Sequence, residues 1–181
     1  MKIYMFLADG FEVVEAMGPI DVLRRAGVEI HTVSLTDSLL VDSAQGVTVM
    51  ADCALDEIDL SDGDAVILPG GYPGFKNLAE SAQVGTIVKE YFDSGRLVAA
   101  ICGAPTVLKV NNVAEGKRLT CHYSVADQMT GYKFEKQPVV QDGNLITSSG
   151  AGHAVEFGLA ILYALQGGDK VDDVKRGMEL V

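Results

Sequence analysis

A continuous apolar run that breaks on a single cysteine, residues 96–108 (RLVAAICGAPTVL), constrains this chain more than any other stretch. Leu97, Val98, Ala99, Ala100 and Ile101 form the uninterrupted pattern of a strand covered on both faces. Cys102 ends the run, Gly103 and Ala104 follow, and Pro105 suits a first helical turn, where its missing N–H would have no intrahelical partner. The pattern predicts a strand, a sharp turn and a helix, with the sulfur at the bend. Free helix N–H groups and the positive end of the macrodipole favour thiolate over thiol there, which makes Cys102 a candidate nucleophile. The plain alternative is a small buried hydrophobe, a common fate of free cysteine. Against it, the unit borrows the strand–turn–helix mechanics of the serine elbow.

The remaining chain supplies a sheet for this unit. Residues 2–8 read as a first strand that breaks at Asp9-Gly10, and residues 28–35 as a second. Residues 64–68 (DAVIL) read as another strand covered on both faces, ending in the loop Pro69-Gly70-Gly71-Tyr72-Pro73-Gly74. A glycine-rich loop at the end of a buried strand leaves backbone N–H groups open to a ligand, although a tight turn explains it equally well. After the first strand, Ile20 and Leu23 recur at helical spacing, Arg24 and Arg25 fall in a last turn, and Gly27 stops it. Pro19 is expected to start or kink the main helix, with Glu12 and Glu15 in or just before its first turn.

Residues 39–50 read as a small hairpin broken at Gln45-Gly46, and residues 76–79 and 84–93 as helical. Residues 119–122 read as a short strand ending on His122, residues 123–129 as a helical turn, and residues 139–147 as a hairpin turning at Asp142-Gly143. An apolar helix follows at 156–165, then a terminal amphipathic helix at 169–181 carrying Val171, Val174, Met178 and Val181 on one face. Strands alternating with helices argue for a doubly wound α/β sheet, whose ligands bind outside the carboxyl ends of the strands. The strand ends at Asp9-Gly10, Gly70-Gly71, Cys102-Gly103 and His122 should gather in one place.

At 181 residues, 48% of them hydrophobic, the chain reads as one domain spanning 1–181 that needs no covalent staples. Three cysteines without paired spacing argue against a disulfide scaffold and a structural zinc site, and fit reduced cytoplasmic thiols. The first apolar run is too short for a signal peptide, and no segment approaches membrane-spanning length. A net charge of −11 repels phosphate backbones and anionic lipid, which argues against nucleic acid and membrane as partners.

If the strand ends converge, Glu15 can hydrogen-bond the Cys102 sulfur, and a carboxyl beside a thiolate has its pKa raised and becomes a proton carrier. The N–H groups of Gly71 and Gly103 could hold an oxyanion formed when sulfur adds to a carbonyl, and His122 could tune the thiolate or move protons. Each residue also has a bland reading: a helix-terminal charge for Glu15, a turn for Gly71, a strand-end polar group for His122. No metal or cofactor is expected. Cys121 and His122 should point to opposite faces of a strand, which disfavours a metal site built from them and Cys102.

ADGFEVVEA at 8–16, DAVILPGG at 64–71, AAICGAP at 99–105, TCH at 120–122 and ITSSGAG at 146–152 resemble the ThiJ/PfpI family, in its parkinsonism-associated deglycase branch. That family lies in the class I glutamine amidotransferase-like superfamily. The resemblance implies a flavodoxin-like sheet with helices on both faces and a homodimer. It implies Cys102 as nucleophile, Glu15 as its protonated partner, Gly71 and Gly103 as backbone donors and His122 as the neighbouring histidine. It further implies metal-free, cofactor-free action on reactive dicarbonyls, either converting methylglyoxal to lactate without glutathione or removing early glycation adducts. Oxidative sensing through Cys102, or holdase chaperoning, is the alternative, since an acid beside the sulfur can arrest oxidation at sulfinate. Two departures stand out. Gly103 occupies the position where the peptidase branch has histidine, and Ser149 stands where the deglycase branch commonly has an arginine for anionic substrates. A glutaminase triad would need a carboxylate two residues beyond its histidine, and Ser124 stands two beyond His122.

Overall fold

The computed structural model describes residues 1–180; Val181, expected on the last helical face, lies outside the described residues. The elements run β1 (Lys2–Leu7), α1 (Val13–Arg25), β2 (Glu29–Ser34), β3 (Leu40–Asp42), β4 (Thr48–Met50), β5 (Cys53–Ala54), β6 (Ala65–Leu68), α2 (Gly74–Glu80), α3 (Ala82–Asp93) and β7 (Leu97–Ile101). There follow α4 (Pro105–Val110), β8 (Arg118–Leu119), β9 (Lys133–Phe134), β10 (Val139–Asp142), β11 (Leu145–Ser148), α5 (Ala154–Gln166) and α6 (Gly168–Gly177). Seven strands form one sheet in the order β10-β11-β7-β6-β1-β2-β5, parallel throughout except for β10 against β11. This is the doubly wound α/β arrangement that the alternation of elements predicts and the flavodoxin-like sheet that the family resemblance implies.

Side-chain alternation divides the interior in two, because successive residues of a strand face opposite sides. Ile3, Met5 and Leu7 of β1, with Ala99 and Ile101 of β7, pack beneath Ala16, Ile20 and Leu23 of α1 and Phe157 and Ile161 of α5. Tyr4 and Phe6, with Val98 and Ala100, pack on the other face against Leu78 of α2, Val84, Val88 and Tyr91 of α3, and Val107 and Leu108 of α4. The chain leaves β1 toward β2 and β5, then returns to the other side of β1 with β6 and proceeds through β7. The reversal between β1 and β6 opens a crevice at their carboxyl ends, the place where open α/β sheets bind ligands.

Two expectations need correcting. Pro19 does not start the first helix. Helix α1 begins six residues before it, capped by Glu12, whose Oε2 accepts the Glu15 N–H at 2.7 Å. Pro19 instead withholds an N–H from the carbonyl four residues back, that of Glu15. The strand expected at 119–122 shrinks to β8, which pairs with β9 outside the main sheet. Thr120 and His122 are held instead by single bonds: Thr120 N–H donates to Thr147 Oγ1 at 2.9 Å and His122 N–H to the Cys102 carbonyl at 2.8 Å. Among the described residues no helix is long and apolar enough to cross a membrane.

Candidate active site

Cys102 sits at the bend between β7 and α4 with φ of 64°, a left-handed conformation unusual for a residue with a side chain. Its main chain is tied on both sides, N–H to the Ser148 carbonyl at 2.9 Å and carbonyl to the His122 N–H. The turn is closed by the Gly103 carbonyl, which accepts from Thr106 N–H at 3.1 Å and from Thr106 Oγ1 at 2.7 Å. Such over-determination holds a strained residue in place. The small residues beside the sulfur leave no slack. A Cβ on Gly103 would stand 2.6 Å from the Phe75 ring.

Glu15 reaches this bend from the first turn of α1 and is 1% exposed. Its Oε2 accepts the Gly70 N–H at 2.9 Å, while the Gly70 carbonyl accepts the Glu12 N–H at 2.9 Å, so α1 and the loop after β6 are laced together. A Cβ on Gly70 would lie 2.5 Å from Glu15 Oε2, 2.6 Å from Cys102 Cβ and 3.1 Å from the sulfur, which puts this glycine between acid and thiol. The Cys102 side chain and the Ala151 main chain also act on this carboxyl, each favouring its ionised form.

Burial raises the Glu15 pKa from its ordinary value to about 7, with Glu12 adding to the rise and the bonds from Cys102, Gly70 and Ala151 opposing it. Burial, together with the Glu15 carboxylate and its hydrogen bond, also pushes the Cys102 thiol up to about 12; N–H groups of Gly103 and Gly71 pull the other way. The direction expected from the helix terminus is therefore reversed. Helix α4 is short, and desolvation beside a carboxylate outweighs its dipole. Near neutral pH the thiol keeps its proton while the acid is partly ionised, and a reactive sulfur arises when the thiol's proton moves to an ionised Glu15.

The structure thus brings Glu15, Cys102, Gly71 and Gly103 together, with the main chains of both glycines close enough to favour the thiolate. His122 is joined to them by its main chain. Its Nδ1 is 2.8 Å from Ser124 Oγ and accepts the Ser124 N–H at 3.3 Å, which in the neutral ring places the proton on Nε2. Between the imidazole and the acid stands Gly150, whose missing Cβ would lie 3.7 Å from His122 Cδ2 and 3.9 Å from Glu15 Oε1. Cys121 is 3% exposed and packs in the opposite core from the one Cys102 packs against. Among the described residues no three His, Cys, Asp or Glu side chains gather to hold a metal ion.

Sequence reasoning missed Gly70, whose N–H donates to the acid. For Gly70 the signal was present in the Gly70-Gly71 pair, of which only the second was chosen. It also missed a cleft of about 670 Å³ beside the acid, bounded by His122, Phe134, Lys136, Pro138 and the 149–153 segment.

With this geometry in view, comparison with known proteins is consistent along the chain. The model of the DJ-1/PfpI family matches residues 1–164. Protein dj-1beta of Drosophila melanogaster is 40% identical over 176 residues, covering 96% of this chain and 94% of that protein. The glutathione-independent glyoxalase DJR-1.2 of Caenorhabditis elegans is 39% identical over 166 residues, covering 90% and 87%. The crystal structure of Drosophila melanogaster DJ-1beta superposes with a TM-score of 0.95 at 39% identity, covering 98% of this chain and 96% of that one.

Proposed function

This chain belongs to the DJ-1/PfpI family, and from that premise we propose that it is a cofactor-free, cysteine-dependent enzyme that converts small 2-oxoaldehydes such as methylglyoxal to 2-hydroxy acids. The observation that carries the reading is the buried Glu15 carboxyl set beside the part-exposed Cys102 thiol, with only Gly70 between them and the acid raised to about 7. Early glycation adducts, which present the same kind of carbon to sulfur, are the finer variant of this substrate class. A relative named as a glutathione-independent glyoxalase supports the choice of reaction.

The steps follow from the residues in place. Sulfur attacks the aldehyde carbon as its proton passes to Glu15, and the negative charge moves to the carbonyl oxygen, where the Gly71 and Gly103 N–H groups follow it. Glu15 returns the proton to that oxygen, giving a hemithioacetal and a free carboxylate. The carboxylate then takes the proton from the former aldehyde carbon, the hydroxyl proton passes to the neighbouring ketone oxygen, and Glu15 delivers the carbon's proton to the neighbouring carbon, giving a lactoyl thioester of Cys102. Water cleaves the thioester to lactate and restores the thiol. His122 borders the space the substrate enters and holds the bend through its backbone.

The reading is tested by methylglyoxal consumption and lactate formation with the wild type, Cys102→Ser and Glu15→Gln. Loss in both folded variants supports it, and turnover surviving in either removes that residue from its role. The family premise also carries the proposal of a homodimer: Leu40 and Met50, cross-strand partners on the β3–β4 hairpin, are 61% and 72% exposed and would be covered by a second copy.

A second reading uses the same pair. A protonated Glu15 next to a part-exposed sulfur can donate a hydrogen bond to sulfinate, so that two equivalents of peroxide oxidise Cys102 and stop there. Mass spectrometry showing two added oxygens in a protein that leaves methylglyoxal unconsumed favours this sensor role.

A further inference from the structure

The cleft beside Glu15 is far larger than methylglyoxal requires. Its volume of about 670 Å³ falls in the ~300–1,000 Å³ range that holds drug-sized ligands, whereas methylglyoxal has three carbons and two oxygens. Two of its lining residues adjoin the reacting pair: Gly150, where a Cβ would lie 3.9 Å from Glu15 Oε1, and His122, whose N–H donates to the Cys102 carbonyl at 2.8 Å.

The charge of its lining departs from that of the whole chain. Asp and Glu number 25 against 14 Lys and Arg, yet no acidic residue lines the cleft, while Lys136, His122 and His153 do. His153 Nδ1 lies 3.3 Å from Glu156, and the His122 Nδ1 is engaged by Ser124. Among the described residues Lys136 makes no ion pair, so its ammonium is the uncompensated charge of the cleft. Phe134, 43% exposed, and Tyr123, 83% exposed, supply apolar wall beside it.

We propose that Lys136 is a specificity-determining residue, and that this cleft receives the distal end of a 2-oxoaldehyde carrying an apolar stem and a negatively charged group. The proposal deepens the reaction above and rests on it for the word substrate. Attraction of the anion to Lys136 orients the stem along Phe134 and presents the dicarbonyl end to Cys102. A group that leaves the cation unpaired forgoes that orientation, so neutral dicarbonyls enter as weaker ligands.

The test separates binding from chemistry by using an unreactive pair of equal shape, phenylacetate and phenylacetamide, titrated into the ¹⁵N-labelled full chain. Phenylacetate is expected to move the amide signals of Phe134, Lys136, Ala151 and Gly152 and to bind more tightly than phenylacetamide. Lys136→Glu is expected to weaken phenylacetate by about fivefold to tenfold, and Lys136→Met by about twofold to fivefold, with phenylacetamide unchanged in both. Equal affinity of the two ligands for the wild type, shifts confined to another surface, or an unchanged affinity ratio in Lys136→Glu overturns the proposal. Methylglyoxal consumption by the same wild-type sample reports on the reaction separately. Anion binding without turnover keeps the cleft and sinks the glyoxalase reading, and turnover without anion preference does the reverse.

Discussion

Glu15 is held neutral more readily by the folded chain than by water, and its effects on stability and on rate run in opposite directions with pH. Its folded pKa of about 7 lies above the ordinary value of 4.5, so the fold binds the proton more tightly than the unfolded chain does. That contribution is fully present below about pH 4.5 and is lost as pH rises through about 7. Glu15→Gln should therefore be more stable than the wild type at pH 8, by about 1–3 kcal/mol in denaturant unfolding, with the gain gone near pH 4. The same variant should lose about 10²- to 10⁴-fold in turnover, and wild-type kcat/KM should rise with pH to a plateau above about 7, as a carboxylate base requires. At Gly70 a methyl group would strike Glu15 Oε2 and Cys102 Cβ together. Gly70→Ala should cost about 1–3 kcal/mol in thermal unfolding and abolish methylglyoxal turnover. The candidate chemistry at Cys102 and Glu15 was legible because each stands beside a strand end with strong local punctuation. The destination of a single N–H group, such as that of Gly70, depends on how separate loops meet, and no local pattern records that.

Among the elements, α1 and α5 set the position of the acid. They pack closely because small residues face each other: a Cβ on Gly158 would stand 2.9 Å from Pro19 Cα and 3.1 Å from Val22 Cβ, and one on Gly18 3.0 Å from Ala154 Cβ. Helix α1 carries Glu15, and the segment leading into α5 carries Gly150, where a Cβ would lie 3.9 Å from Glu15 Oε1. Gly158→Ala should force the helices apart, cost about 1–3 kcal/mol and lower kcat about tenfold or more, measured by calorimetry and methylglyoxal turnover. Strands such as 97–101 and 64–68 were readable because burial on both faces demands an unbroken apolar run. Residues 120–122 look like strand by composition, yet their backbone goes to Thr147 Oγ1 and the Cys102 carbonyl, and such side pairings leave no periodic trace. Pro19 misled for a related reason. A cap at Glu12 and burial of the helix face keep α1 continuous through a residue that breaks isolated helices.

For the molecule as a whole, the sheet converts distant stretches of chain into neighbours. The doubly wound order was legible from alternating strands and helices, and with it the expectation that strand ends would gather. What the order could not indicate was the thiol's direction of shift, because burial is a property of the assembled fold. The exposed Leu40–Met50 pair belongs to this scale as well. Sedimentation should give a species of twice 19.2 kDa, and Met50→Glu should shift it to monomer with an unchanged far-ultraviolet spectrum. The clamp on Cys102 has a consequence for synthesis. Its N–H waits for Ser148 and its carbonyl for His122, both encoded later. A chain emerging from the ribosome therefore displays its cysteine unguarded until the final third arrives, and peroxide met during translation should injure nascent copies more than finished ones.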